Sequence, residues 1–326
     1  MNEKIYVNIA SYRDAGLNKT INNLYETAKY PERIYVGCFI QSRKNELEIM
    51  TPNNLRDGRV KFRAQEPGEL FSVTKCRNLA NEFLDDSFKY VLQIDAHNRF
   101  EPDWDEYLIN HLNSYQKHEI ILSSTLPAWE VDDIGNEVLR TDLNNHLSKV
   151  HTFQSELAKQ RFLESYELCP TTYWHPDTYK PDRVMNWNMS GHFIFTYADY
   201  YLEVPQPEWI YFWSEEVLNG LRAYTRGWDI YVPKYIPIYH QYPQNLHKAG
   251  DIQGKRNKLF YDFPHSFSLG KTTTDRTIDI IINNTVGEDA LFPNRPLTEL
   301  YEYLGYNMGE LLNEWRETYR KYQNAN

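Results

Sequence analysis

The 326-residue sequence has few cysteines and no segment typical of a membrane or secreted protein. Its three cysteines, Cys38, Cys76 and Cys169, are scattered and form no C-x-x-C pair. An odd, scattered set favours free thiols in a reducing compartment over a disulfide framework. No apolar run is long enough to cross a bilayer, and no signal-peptide pattern precedes the first strand candidate. We therefore expect a soluble, cytoplasmic protein with no membrane partner.

The motifs of several common enzyme classes are also absent. The sequence has no G-x-G-x-x-G after its first strand candidate, no Walker A motif and no G-x-S-x-G. Dinucleotide-binding Rossmann enzymes, P-loop nucleotidases and α/β-hydrolases therefore gain no support. The net charge of −10 at pH 7 provides no overall attraction to DNA or RNA, which disfavours a general nucleic-acid binder.

Apolar residues are spaced as alternating strands and helices, so the sequence predicts an α/β fold. Ile5–Ala10 and Ile34–Ile40 are strand candidates, and residues 17–28 between them have helical spacing. Such a unit implies a parallel strand pair with a right-handed crossover. Lys89–Ile94 is a further buried strand candidate. Other elements are expected at 60–63, 73–84, 104–115, 119–123, 191–197, 209–213, 215–226, 230–232, 236–239, 297–304 and 308–322.

The pattern divides the chain into three regions. Residues 1–245 form the α/β domain, in which the polar segment 129–185 is interpreted as an irregular excursion on the acceptor side. Residues 246–276 contain glycine, lysine and arginine. This composition is typical either of a lid loop over a bound diphosphate or of a solvated loop. Residues 277–326 are expected to be a helical C-terminal extension that packs against the domain through an apolar stripe.

Two metal-competent side chains, Asp95 and His97, follow the Lys89–Ile94 strand. In open α/β sheets ligands bind at the carboxyl ends of strands, and His240 follows another strand candidate. One carboxylate and two imidazoles would leave positions open on Mn²⁺ or Mg²⁺ for diphosphate oxygens. A D-x-H triplet alone is also an ordinary turn, and His240 alone is equally a buried structural histidine.

Other charged residues allow two interpretations each. Glu215 and Glu216 open a helix, where the helix dipole favours first-turn acids. Their functional interpretation is an acceptor-binding carboxylate or a base that polarises an attacking hydroxyl. Arg13 follows the first strand and Arg77 lies near a helix start. Each arginine either binds the phosphate or nucleoside of a ligand or is a solvated charge.

Several segments, taken in order, resemble one enzyme family: IYVNIASYRD, RIYVGCFIQ, CRNLA, YVLQIDAHNRFEPDWD and the long run from SGHFIF to IYHQY. They are similar to the cytoplasmic-type polypeptide N-acetylglucosaminyltransferases that modify hydroxyproline, and more distantly to the polypeptide GalNAc-transferases. The resemblance implies a GT-A fold with a mixed, mostly parallel sheet flanked by helices. It also implies a UDP-sugar donor, a divalent cation and retention of anomeric configuration.

The resemblance also assigns roles to individual residues. The metal ligands would be Asp95, His97 and His240. The nucleotide pocket would be lined by Ala10, Ser11, Tyr12, Arg13, Arg77 and Asp95, and the acidic pair near the acceptor would be Glu215 and Glu216. Three departures are visible: Ala96 replaces a serine, Ser214 replaces a glycine, and no arginine follows His240.

We therefore expect a metal-dependent, retaining glycosyltransferase that moves GlcNAc or a related sugar from a UDP-sugar to a hydroxyl on a protein or glycan. One alternative is transfer to a hydroxylated DNA base. Its local basic groove would come from Lys248, Lys255, Arg256, Lys258 and Lys271. The other alternative is a nucleotide-sugar-binding or carbohydrate-binding module without turnover.

Overall fold

The structure, a computed structural model, describes residues 3–67, 72–141, 149–174, 184–212, 214–242, 262 and 266–325. The strands in chain order are β1 (Ile5–Tyr12), β2 (Ile34–Gln41), β3 (Val60–Gln65), β4 (Tyr90–Ile94), β5 (Asn98–Phe100), β6 (Ile120–Ser123), β7 (Trp129–Val131), β8 (Glu137–Leu139), β9 (Lys149–Thr152), β10 (Thr171–Trp174), β11 (Val184–Asn186), β12 (Phe193–Tyr197), β13 (Asp229–Val232) and β14 (Ile238–His240). The helices are α1 (Leu17–Thr27), α2 (Leu47–Met50), α3 (Val73–Ala80), α4 (Trp104–Asn113), α5 (Glu156–Ser165), α6 (Ala198–Glu203), α7 (Glu215–Arg226), α8 (Ser266–Asn283), α9 (Leu297–Leu304) and α10 (Met308–Ala325).

Eight strands form the central sheet in the order β11-β13-β6-β12-β4-β1-β2-β3. The pairs β1–β2, β1–β4, β2–β3 and β13–β6 are parallel, which confirms the predicted βαβ opening. β12 runs antiparallel between β4 and β6, and β11 runs antiparallel to β13. The start of β12 therefore lies at the same edge of the sheet as the end of β4, with Phe193 opposite Ile94.

A small antiparallel pair, β5 with β14, lies next to the loop after β4. Its register places His240 opposite Asn98 and Ile238 opposite Phe100. The backbone around it is held on both sides, because the His240 amide donates to Pro127 O over 2.9 Å and the Gln241 amide donates to His97 O over 3.2 Å. This pairing brings two segments that are far apart in the chain to one place.

Two hydrophobic clusters hold the elements together. The larger one lies between the sheet and helices α1, α4 and α6. In α1 the buried positions are Leu17, Thr20, Ile21, Leu24 and Tyr25, a helical spacing that gives one apolar face. The second cluster joins α7, α5 and the C-terminal helices α8, α9 and α10, with the predicted stripe of α10 buried in it.

Helix α7 ends as its sequence indicates. Gly227 adopts φ 112°, a left-handed conformation that costs glycine little, and its amide donates to Ala223 O and Tyr224 O. The helix therefore stops at Arg226, and its first turn, with Glu215 and Glu216, faces the edge where β4 ends.

Two local predictions are wrong. A regular element was expected at 209–213, but residues 209–212 form neither helix nor strand. Their backbone groups bind helices instead, since Tyr211 O accepts from the Val73 amide and the Tyr211 amide donates to Thr273 Oγ1. Trp213 lies outside the described residues. Residues 198–203, for which no element was expected, form helix α6.

The two segments interpreted as loops are more regular than expected. The described parts of 129–185 hold the hairpin β7–β8, the pair β9–β10, helix α5 and strand β11. The strands among them have three or four residues each, which carries too little periodicity to be recognised from sequence. Within 246–276, residues 246–261 and 263–265 lie outside the described residues, and residues 266–276 belong to α8, so the helical extension begins before 277.

The described helices include none that is long and apolar enough to cross a bilayer. The three cysteines are free thiols, as predicted, and burial raises the pKa of Cys76 to about 12. Four of the five basic residues considered for a DNA groove, those at 248–258, lie outside the described residues. The fifth, Lys271, donates to Tyr319 Oη over 2.6 Å within the C-terminal helices.

Candidate functional site

The side chains of Asp95, His97 and His240 converge at the edge of the sheet. His97 Nε2 lies 2.9 Å from His240 Nε2, and His240 Nε2 lies 3.2 Å from Asp95 Oδ2. One donor atom from each residue falls within 4.8 Å of the others. Asp95 and His97 follow β4, and His240 reaches them because β14 pairs with β5.

We call Asp95, His97 and His240 the donor cluster, because each offers a donor atom to a metal ion. The geometry of this cluster suits a divalent cation. Two donors at right angles, each about 2.0–2.2 Å from one ion, lie about 3 Å apart. The observed separations of 2.9 and 3.2 Å match this spacing. Octahedral coordination with oxygen donors is typical of Mg²⁺ and Mn²⁺, and imidazole suits other divalent metals. The residues present fit a metal ion that uses three protein ligands.

Asp14, in the loop between β1 and α1, fixes the orientation of His97. Its Oδ2 lies 2.7 Å from His97 Nδ1, and its Oδ1 accepts from the Gly16 amide over 2.7 Å. A hydrogen atom on Nδ1 leaves the lone pair of Nε2 directed at the cluster, as in carboxylate–histidine–metal arrangements. Burial alone lowers the pKa of His97, but the Asp14 carboxylate raises it above its usual value.

The pKa values of the other two members of the cluster are both lowered, for different reasons. Burial raises the pKa of Asp95, but the hydrogen bond from His240 and the charge of Arg77 together hold it well below its usual range. Burial and the neighbouring His97 lower the pKa of His240. The resulting set is one carboxylate beside imidazoles, the donor chemistry that a divalent cation requires.

Arg77 connects the cluster to the start of α7. Its Nη2 lies 3.4 Å from both Asp95 Oδ1 and Glu215 Oε1, and the residue is only 3% exposed. Its Nε and Nη1 have no hydrogen-bond partner in the described part of the chain. Arg77 therefore lies beside the predicted metal ligands, where its charge neutralises two carboxylates.

Glu216 occupies the other side of the same turn. Its Oε1 accepts from the Gly191 amide over 2.7 Å, and Asn188 Nδ2 lies 3.4 Å from Oε2. Burial raises the pKa of Glu216 to about 7 and also raises that of Glu215. Gly191 must lack a side chain, because a Cβ there would lie 2.3 Å from Glu215 Oε1.

The predicted nucleotide-pocket residues on β1 have carboxylate partners of their own. Arg13, at φ 47°, donates to Glu46 Oε2 over 2.8 Å and to Asp262 Oδ2 over 2.7 Å. The Tyr12 hydroxyl also donates to Asp262 Oδ2, over 2.8 Å, while Ala10 and Ser11 lie within β1. The structure thus places Tyr12 and Arg13 around Asp262, and Arg77 beside Asp95.

A cavity of about 560 Å³ opens beyond the ends of β2 and β3. Its lining includes Arg43, whose guanidinium lies 2.8 Å from Asp262 Oδ1. The cavity is therefore next to the Tyr12–Arg13 group, and the predicted metal ligands do not line it.

Sequence reasoning missed two members of the site, Asp14 and His192. Asp14 follows a strand that is parallel to β4, so the rule that parallel strands end at one edge was sufficient to find it. His192 immediately precedes β12, and finding it required knowing that β12 runs antiparallel to β4. The sequence carries no signal for that direction.

Comparison with known proteins points to sugar transfer. A family model described as Glycosyltransferase (GlcNAc) matches residues 4–82 and 54–250, which together span more than half of the chain. No curated protein matches the chain.

Solved structures give a fold likeness at low identity. The crystal structure of GalNAc-T7 with UDP, GalNAc and Mn²⁺ matches with a TM-score of 0.54 and 12% identity, covering 94% of this chain and 58% of that chain. S. aureus TarS matches with a TM-score of 0.41 and 12% identity, covering 87% of this chain and 41% of that chain. The present chain thus spans little more than half the length of GalNAc-T7. The likeness to GalNAc-T7 confirms the predicted GT-A fold.

Proposed function

Because the chain belongs to the glycosyltransferase (GlcNAc) family, we propose that it transfers GlcNAc or a related sugar from a UDP-sugar to a hydroxyl group. The acceptor hydroxyl belongs to a protein or a glycan, as in the hydroxyproline-modifying enzymes that the sequence resembles, and the reaction retains anomeric configuration. The three free thiols support the cytoplasm as its compartment.

One observation carries this proposal: the convergence of Asp95, His97 and His240 at the carboxyl edge of a GT-A sheet. Asp95, His97 and His240 would hold a divalent cation, which would supply Lewis-acid stabilisation of charge on a departing diphosphate. Asp14 holds His97 in the tautomer whose Nε2 lone pair points at the cluster, and Arg77 holds Asp95 in place. These contacts pre-organise the donor cluster before substrate arrives.

Glu215 and Glu216 have different surroundings and are assigned different roles. Glu215 is buried against Arg77, so it positions that guanidinium. Glu216 keeps 32% of its side chain exposed and faces the donor cluster across His192. It is therefore the carboxylate of the pair that contacts a substrate hydroxyl.

Titration calorimetry with UDP in the presence and absence of Mn²⁺ tests the proposal. In wild type we expect Mn²⁺-dependent UDP binding, and in Asp95→Asn, His97→Ala and His240→Ala we expect that affinity to fall more than about 100-fold, beyond the effect typical of outer-shell changes. His118→Ala is the matched control, because His118 is half exposed and pairs with Asp199 on the surface. Undiminished Mn²⁺-dependent binding in both His97→Ala and His240→Ala would contradict the assignment. A second assay separates an enzyme from a binding module. An enzyme releases UDP from a UDP-sugar in the wild type and does not in the same three variants, whereas a binding module releases none.

A further inference from the structure

His192 is a partly buried imidazole that neither the donor cluster nor the expected chemistry uses. It immediately precedes β12, and its ring centroid lies 4.8 Å from that of His240. Only 16% of its side chain is exposed.

The hydrogen bonds of His192 define its tautomer. The Leu126 amide donates to His192 Nε2 over 3.2 Å, so this nitrogen carries a lone pair. An imidazole with a lone pair on Nε2 is neutral, and its one N–H is therefore on Nδ1.

The Nδ1–H of His192 faces Glu216 across a gap. Nδ1 lies 4.0 Å from Glu216 Oε1, which is beyond hydrogen-bond distance. An oxygen atom placed about 2.8 Å from both atoms would be held at an angle of about 90°. That oxygen has to accept from His192 and donate to the carboxylate, and a hydroxyl group does both.

We propose that His192 and Glu216 together bind one hydroxyl group of the sugar carried by the nucleotide donor, which makes His192 a specificity-determining residue. This inference rests on the proposed function. The sugar is chosen over the acceptor because the gap adjoins His240. A diphosphate held at the donor cluster has the sugar directly attached to it, so the sugar is the first group to reach the gap.

The carboxylate side of the gap is rigid. Glu216 is fixed by the Gly191 amide at 2.7 Å, and Gly191 cannot be replaced by a larger residue without contacting Glu215. The hydrogen-bond donor, His192 Nδ1–H, and the hydrogen-bond acceptor, the Glu216 carboxylate, would both be left unpaired by a ligand that lacks the hydroxyl. Such a ligand is therefore rejected. The pair therefore selects for a sugar hydroxyl in one orientation.

The test compares binding of UDP with binding of UDP-GlcNAc, UDP-GalNAc, UDP-glucose and UDP-galactose, each with Mn²⁺, by titration calorimetry. In His192→Phe we expect the UDP affinity to stay within about two-fold of wild type, while the tightest-binding UDP-sugar loses about 10-fold, the effect of one hydrogen bond. In His192→Asn, whose amide nitrogen can replace Nδ1, we expect most of that loss to be recovered. Tyr242→Phe is the matched control, since Tyr242 binds Leu126 O over 2.7 Å and lies beside the same ring.

A series of monodeoxy donors tests the same contact without relying on a variant that folds. In wild type, removal of one sugar hydroxyl should weaken binding about 10-fold. In His192→Phe the same removal should cost clearly less, because only the hydrogen bond to Glu216 is then left to lose. Equal binding of every deoxy donor by wild type would overturn the inference. So would a parallel loss of UDP and UDP-sugar affinity in His192→Phe, which would make His192 a support of the metal ligands. A higher KM for the acceptor with unchanged donor binding would assign the hydroxyl to the acceptor and also overturn it. Failure of wild type to bind UDP at all would contradict the proposed function itself.

Discussion

Replacing Asp14 by asparagine changes one hydrogen bond behind the donor cluster and leaves every predicted metal ligand in place. The asparagine oxygen can still accept from the Gly16 amide, as Asp14 Oδ1 does over 2.7 Å. Its amide group then faces His97 Nδ1, where the carboxylate oxygen now lies at 2.7 Å. An amide N–H donates, so Nδ1 becomes the acceptor and the imidazole hydrogen moves to Nε2, which points at the cluster. The lone pair that would bind the cation is lost.

The size of the effect follows from this change of tautomer. Loss of a carboxylate partner behind a metal-bound histidine typically lowers metal affinity about 10–100-fold, or about 1.4–2.7 kcal/mol. We expect the upper end for Asp14→Asn, because the bond is short and only 25% of each side chain is exposed. Thermal stability should change little, since the Gly16 contact is retained.

Titration of Mn²⁺ into the protein with UDP present measures the effect. Asp199→Asn is the control, because Asp199 makes a similar 2.8 Å contact to His118 on the exposed surface. In a His97→Ala background, Asp14→Asn should cost nothing further, since both changes act through one imidazole. Unchanged Mn²⁺ affinity in Asp14→Asn, or a full additional loss in the double variant, would refute this role of Asp14.

Two predictions concern stability. Burial lowers the pKa of His151 to about 4, so the unfolded state binds a proton as the pH falls from about 6.5 to 4 while the folded state does not. At about 1.4 kcal/mol per pH unit, the free energy of unfolding should lose about 3 kcal/mol over that range. In His151→Asn, whose side-chain oxygen can still accept from Asn186 Nδ2, urea unfolding should no longer show this loss. If the free energy of unfolding falls as much between pH 7 and 4 in His151→Asn as in wild type, the role of His151 is refuted. Gly191→Ala would place a Cβ 2.3 Å from Glu215 Oε1 and should lower the free energy of unfolding by about 1–3 kcal/mol. Gly287→Ala, with open space around its Cβ, is the control and should leave stability unchanged. Equal melting temperatures for the two variants would show that the site tolerates the added methyl group.

The sequence was sufficient for the parts of the site that follow long, buried strands. β4 is continuous and mostly apolar, so the position of Asp95 and His97 at its carboxyl end follows from the sequence. The start of α7 was also predictable, because its two acids precede a clear helical spacing that ends at Gly227. In both cases local periodicity and known end effects determine the structure.

The remaining parts depend on long-range pairing. β5 and β14 have three residues each, too few for a periodic signal, yet their pairing joins His240 to His97. The antiparallel direction of β12, which brings His192 to the site, depends on the whole sheet. Asp262 is separated from Arg13 by 249 residues, and no sequence rule connects them.

The β5–β14 pair also has a consequence for biosynthesis. His97 and His240 are 143 residues apart in the chain, so a ribosome releases the first two cluster residues long before the third. Contacts of such high sequence separation form late, because the entropy of closing the intervening loop must first be overcome. A nascent chain that has emerged only as far as the end of β12 therefore offers Asp95 and His97 alone, an incomplete set. The completed cluster marks a chain that has finished folding through β14, and ion binding at this site would stabilise only that finished state.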